Sequence, residues 1–227
     1  KCLHSNILID MYVRGGCLSK AQEVFDNLVV RDVVSWTSLM SGYVKHDHNE
    51  QVLQFFQEMQ IQGICPNALT YVCFLKACGS LGAIEKGKEL HAHVERIGLW
   101  EKELILGNAL VYMYVKCGCL TNAQEVFDNL LIRNVVSWTV LALGYTNHGH
   151  AKEALNLYRQ MQPEGVCPNS ITYVCCLKAC GSLGALDIGT EMHSDIERQR
   201  SLKRGLLVSN ALIDMYAKCG FLVKAQE

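Results

Sequence analysis

Residues 108–118 read NALVYMYVKCG, and residues 210–220 read NALIDMYAKCG. The repetition decides the fold. Asn6 meets Asn108 and Asn108 meets Asn210, a shift of 102 residues each time. The same shift lays Met11 and Tyr12 on Met113 and Tyr114, and AQEVFD at 21–26 on 123–128. It also lays Ser35, Trp36 and Thr37 on Ser137, Trp138 and Thr139, and KACGSLGA at 76–83 on 178–185. Self-similarity over this span marks a repeat architecture, and a period this long must subdivide.

Each copy divides into three kinds of unit, short, standard and long. They run 2–32, 33–67 and 68–103, then 104–134, 135–169 and 170–205, with a truncated short unit at 206–227. Every unit carries two helical patterns around a tight turn. Leu110, Met113, Tyr114 and Cys117 fall at i, i+3, i+4 and i+7. After the turn at Gly118, the spacing returns in Ala123, Val126, Phe127 and Leu130. In the standard unit Leu155, Leu157, Tyr158 and Met161 supply the second helix, and Pro168 marks its exit. One such pair cannot hide its apolar face alone, so stacking must build a continuous core. The expectation is an all-α, right-handed superhelical solenoid of helix–turn–helix repeats. Trp36, Trp138, Phe25 and Phe127 are then core residues.

Composition narrows the function classes. The 227 residues are 50% apolar with a net charge of −1, so any affinity for nucleic acid rests on local patterning. The most apolar stretch, 135–145, is interrupted by Ser137, Thr139 and Gly144, and no membrane span is expected. The 12 cysteines include no C-x-x-C, and several recur at equivalent places, such as Cys78 with Cys180 and Cys117 with Cys219. They read as small hydrophobes at helix contacts in a reducing compartment, with no metal and no cofactor. The chain starts and stops inside its own repeats, so it looks like an excerpt of a longer protein.

The units resemble the pentatricopeptide repeat family, in the plant organellar subclass that alternates short, standard and long motifs. The resemblance rests on NALVYMYVKCG and its copy, on VVSWT at 135–139 with CPN at 167–169, and on LKACGSLGA at 177–185, and it covers essentially the whole chain. It implies one nucleotide of single-stranded RNA per unit, read by the fifth residue of the first helix and the last residue of the unit. Those residues are Asn6 with Asp32, Thr37 with Asn67, Asn108 with Asn134, and Thr139 with Asn169. Asn210 lacks its loop partner. By analogy the pairs read uracil, adenine, a pyrimidine and adenine. Val72 with Glu103 and Val174 with Gly205 cannot make the usual pair of base-edge hydrogen bonds, so the long units are expected to be spacers or weak readers, which gives the footprint 5′-U-A-n-Y-A-n-3′. Short polar groups suit base edges, yet Ser, Thr and Asn near a helix start are also expected as N-caps.

Branched apolar residues at the helix starts, Leu3, Val34, Ile105, Val136 and Leu207, are expected to sandwich bases. Arg14, Lys45, Lys116 and Lys218 recur near first-helix ends and suit phosphate, although cations there also complement the helix dipole. The equivalent in the second standard unit is Asn147. His48, Asn49 and Glu50 match half of a nucleobase deaminase signature, but no P-C-x-x-C exists, and no enzyme is expected. The resemblance implies a monomeric targeting array for C-to-U editing of an organellar transcript, in a mitochondrion or chloroplast, with editing-complex proteins as possible partners. The alternative is a helical-repeat scaffold that binds protein partners.

Overall fold

The computed structural model describes residues 2–100, 103–199 and 205–226, with the side chains of 2–4 and 226 outside the description. Among the described residues every regular element is an α-helix. The first compact unit, residues 1–131, holds α1 (Cys2–Arg14), α2 (Leu18–Asp26), α3 (Val33–Lys45), α4 (Asn49–Ile61), α5 (Ala68–Leu81), α6 (Ile84–Arg96), α7 (Leu104–Lys116) and α8 (Leu120–Asp128). The second, residues 132–227, holds α9 (Val135–Asn147), α10 (Ala151–Met161), α11 (Ser170–Leu183), α12 (Leu186–Arg198), α13 (Leu206–Lys218) and α14 (Leu222–Gln226).

Odd-numbered helices are the first members of each pair. Within the first unit α1 packs on α3, α3 on α5 and α5 on α7, while α2, α4 and α6 each bridge two of them. The second unit repeats this with α9, α11 and α13. The first helices are therefore the inner layer of each stack, which is why they carry most of the buried residues. Trp36 is fully buried, with its ring centroid 4.7 Å from that of Phe25 in an edge-on contact. Trp138 and Phe127 are buried as well.

Close helix approach is paid for with glycine. A Cβ on Gly42 of α3 would lie 2.5 Å from Val13 of α1, and one on Gly87 of α6 would lie 2.5 Å from the sulfur of Met113.

Two expectations need correction. The apolar pattern of the short unit extends to Leu130, but α8 stops at Asp128 with Asn129 as its C-cap. Leu130 is nevertheless buried, because it lies over Gly107 of α7. The cysteines also divide: Cys73, Cys78, Cys175, Cys176 and Cys180 are buried, whereas Cys17, Cys65 and Cys167 are exposed and fill no core.

Candidate nucleic-acid interface

Each first helix after α1 is preceded by the last residue of the unit before it. Asp32, Asn67, Asn134 and Asn169 are the N-caps of α3, α5, α9 and α11. Asp32 Oδ1 accepts from Ser35 N at 2.8 Å, and Asn67 Oδ1 accepts from Thr70 N at 2.9 Å. Asn134 Oδ1 accepts from Val136 N and Ser137 N at 2.9 and 3.1 Å, and Asn169 Oδ1 from Thr172 N at 2.9 Å. The long units end in Glu103 and Gly205, which precede α7 and α13 without a side-chain cap bond. Capping thus belongs to the loop residues and not to the fifth residues, where the sequence alone left it open. It accounts for the Asp/Asn identity of the loop residues without any ligand.

The fifth residues lie one turn inside their helices and differ by unit type. Thr37 and Thr139 are only 8% and 7% exposed. Thr37 Oγ1 donates to Val33 O at 2.7 Å and lies 2.8 Å from Thr70 Oγ1, which in turn is 3.0 Å from Asn67 Oδ1. Thr139, Thr172 and Asn169 repeat the chain: Thr139 bonds Val135 O, the two hydroxyls are 2.8 Å apart, and Thr172 Oγ1 is 3.0 Å from Asn169 Oδ1. Both members of each standard-unit pair therefore meet at one threonine hydroxyl that the sequence reading did not single out. Its signal was the three-residue spacing N-x-x-T, which reads as an ordinary capping box.

The asparagines of the short units are not tied down in this way. Asn6 is half-buried and Asn210 exposed, and neither side chain forms a hydrogen bond among the described residues. Asn108 buries its Oδ1 without a partner, a cost that a ligand donor would relieve. Val72 and Val174, in the same place in the long units, are half-buried and have no polar group to offer.

The second position of the first helices carries apolar side chains held in solvent. Val34 is 50% exposed, Ile105 45%, Val136 48% and Leu207 69%. The side chain of Leu3 lies outside the described residues. Leu69 and Ile171, 54% and 49% exposed, occupy the same second position in α5 and α11 and were missed. The period of the first-helix starts was the signal that would have found them. A single exposed Leu or Val needs no explanation, but recurrence at one helix position does.

Arg14, Lys45, Lys116 and Lys218 occupy the last turns of α1, α3, α7 and α13 and are exposed. Two of them are already matched with acids: Arg14 pairs with Asp10 at 2.8 Å and Lys218 with Asp214 at 2.7 Å. Lys116 lies over the Tyr112 ring at 5.7 Å. Exposed pairs of this kind contribute little and exchange readily for other anions. His48, Asn49 and Glu50 form the start of α4, and among the described residues no cluster of His, Cys, Asp and Glu could hold a metal. His91 and His193 are half-buried and hydrogen-bond the hydroxyls of Tyr114 and Tyr216, each at 2.9 Å.

The model of the PPR repeat family matches residues 31–80 and 133–182, and that of the single PPR repeat matches 4–33, 108–135 and 208–227. The chain belongs to the pentatricopeptide repeat family. It is 40% identical to the Arabidopsis thaliana pentatricopeptide repeat-containing protein At4g18520, chloroplastic, over 96% of this chain and 35% of that protein. It is 37% identical to At1g06140, mitochondrial, from the same plant, over 96% of this chain and 39% of that protein. The chain thus spans little more than a third of these relatives. Among solved structures, the pentatricopeptide repeat protein PPR10 in complex with an 18-nt psaJ RNA element matches with a TM-score of 0.77 at 18% identity, over 98% of this chain and 33% of that one. The structure of PPR10 from maize matches with a TM-score of 0.71 at 20% identity, over 97% and 33%. The fold is that of a pentatricopeptide helical-repeat solenoid.

Proposed function

We propose that this chain binds single-stranded RNA in a sequence-dependent way, one base per unit, as the alternating short, standard and long array of an organellar RNA-processing factor. C-to-U editing is the process the resemblance implies. The observation that carries the reading is the recurrence of exposed branched residues at the second helix position, in helices that also carry the fifth-position polar groups and follow the unit-ending caps. Apolar faces for stacking and polar groups for base edges are what a splayed single strand requires. That PPR10 was solved with RNA supports it, and the chloroplastic and mitochondrial names of the relatives support an organellar setting.

The hydrogen-bond inventory gives the pairs chemical content. Asp32 has one carboxylate oxygen engaged by Ser35 N and can only accept with the other, which suits the ring N–H of uracil. Asn67 and Asn169 have their Oδ1 atoms engaged by the helix and are left with Nδ2 donors, which suit the N1 acceptor of adenine. Thr37 and Thr139 complete those two sites with a hydroxyl oxygen facing the amino group.

Binding assays with short RNAs of the pattern 5′-U-A-n-Y-A-n-3′ test this. Replacing either adenine should weaken binding about tenfold, as a mismatched polar contact does, and affinity should fall with salt as phosphate counterions are released. Thr139→Asn together with Asn169→Asp should move the preference at that position from adenine to uracil. Affinity indifferent to sequence and to salt would reject the RNA reading and favour a protein-binding scaffold.

A further inference from the structure

Thr70 and Thr172 lie outside the residue pairs to which base reading is assigned, yet each touches both members of one pair. Proton bookkeeping shows what this does. The Thr37 and Thr70 hydroxyls are 2.8 Å apart, so one of them donates to the other. If Thr37 donates, Thr70 spends its own proton on Asn67 Oδ1 at 3.0 Å. If Thr70 donates, Thr37 spends its proton on Val33 O at 2.7 Å. In either arrangement the Thr37 proton stays within the protein, and the hydroxyl meets a ligand only as an acceptor. When Thr37 donates, Asn67 Oδ1 takes both the Thr70 hydroxyl at 3.0 Å and the Thr70 N–H at 2.9 Å, which fills its two lone pairs and leaves the amide only Nδ2 to meet a ligand. Thr139, Thr172 and Asn169 obey the same constraint.

We propose that Thr70 and Thr172 are positioning residues that fix the hydrogen-bonding polarity of the two standard units. They hold the fifth residue as acceptor and the cap as donor. The edge that complements this order is an amino group beside an unprotonated ring nitrogen, as in adenine and cytosine. The keto bases uracil and guanine present the reverse order, and with Thr37 and Thr139 almost fully desolvated a mismatched pair has no water to turn to. The inference rests on the RNA reading above.

The short units supply the contrast. Ser35 and Ser137 occupy the same helix position as Thr70, but Ser35 Oγ donates to Asp32 O and Ser137 Oγ to Asn134 O, each at 2.8 Å. Their protons go to the main chain and do not constrain the cap side chain.

The test measures a preference and not only an affinity. RNAs carrying adenine, guanine or uracil at each standard-unit position are titrated against the wild-type chain and against Thr70→Val, Thr172→Val, Thr70→Ser and Ser35→Ala. Thr70→Val should reduce the preference for adenine over guanine about tenfold at the first standard position and leave the second unchanged. Thr172→Val should do the reverse. Thr70→Ser should retain the preference. Ser35→Ala also removes a capping-box hydroxyl, so it should lower the melting temperature comparably without altering either preference. Retained discrimination in both valine variants, with RNA still bound, overturns the assignment, as does equal loss in Ser35→Ala. A wild-type chain that binds RNA with no base preference, or does not bind it, rejects the underlying reading instead.

Discussion

Asp47 is the one non-glycine among the described residues with a positive φ, 61°, in the turn between α3 and α4. Its counterpart after the 102-residue shift is Gly149, with φ 79°. A left-handed backbone crowds Cβ against the neighbouring carbonyl at a cost of about 1–2 kcal/mol, part of which glycine returns as extra unfolded-state entropy. Asp47→Gly should therefore stabilise the chain by roughly 0.5 kcal/mol and Gly149→Asp should destabilise it by a similar or larger amount. Paired denaturation curves check this, and changes of the same sign in both would refute it. The same scale shows why the candidate site was only partly legible. Asp and Asn are favoured both for capping a helix and for meeting a base edge, so their presence at 32, 67, 134 and 169 cannot separate the two roles. The bonds from Ser35 N, Thr70 N, Ser137 N and Thr172 N show that they cap. The hydroxyl contacts made by Thr70 and Thr172 join residues from two successive units, and no spacing within one unit could reveal them.

At the scale of elements, the repeat made the helices legible. Apolar residues at i, i+3, i+4 and i+7 and glycines in the turns placed α7 and α8 around Gly118, and the shift carried those positions through the chain. What periodicity could not show was how closely the helices approach. Gly42 faces Val13, whose β-branched side chain has little freedom to withdraw, with a built Cβ 2.5 and 2.7 Å from its two methyls. Gly87 faces the flexible end of Met113 at the same 2.5 Å. Alanine improves helix propensity at both sites by about 1 kcal/mol, and overpacking costs about 1–3 kcal/mol where the neighbour cannot move. Gly42→Ala should therefore be net destabilising by up to about 2 kcal/mol, while Gly87→Ala should stay within about 0.5 kcal/mol of wild type. Urea midpoints would decide, and equal losses at both sites would show that Met113 is as rigid as Val13. Leu130 makes the related point: the pattern predicts its burial correctly but assigns it to a helix that has already ended, because the residue reaches Gly107 from a loop.

For the molecule as a whole, the thiols give stability a pH dependence that no single residue would make conspicuous. Burial pushes Cys73 and Cys175 up to about 11 and Cys78 and Cys180 up to about 12, and raises Cys176 in the same way. Neighbouring cysteines add to the effect at Cys78, Cys176 and Cys180, while nearby lysine or arginine opposes it at Cys73, Cys78, Cys175 and Cys180. Below the ordinary thiol value of about 8.5, folded and unfolded chains both keep these protons. As pH rises above it, the unfolded chain releases protons that the folded chain retains, so unfolding gains free energy and stability falls. Each thiol contributes a slope approaching about 1.4 kcal/mol per pH unit until its folded value is reached, and the slopes of several thiols add. Tyrosines raised by burial, such as Tyr114, act in the same direction only at higher pH. Under reducing conditions the chain should therefore lose several kcal/mol between about pH 7.5 and about pH 9.5. Alkylation of the native chain over that interval should be confined mainly to the exposed Cys17, Cys65 and Cys167. Urea denaturation at the two pH values, with mass spectrometry of the alkylated chain, measures both. Unchanged stability would mean that the buried thiols ionise without unfolding, and rapid modification of Cys176 in native chain would say the same.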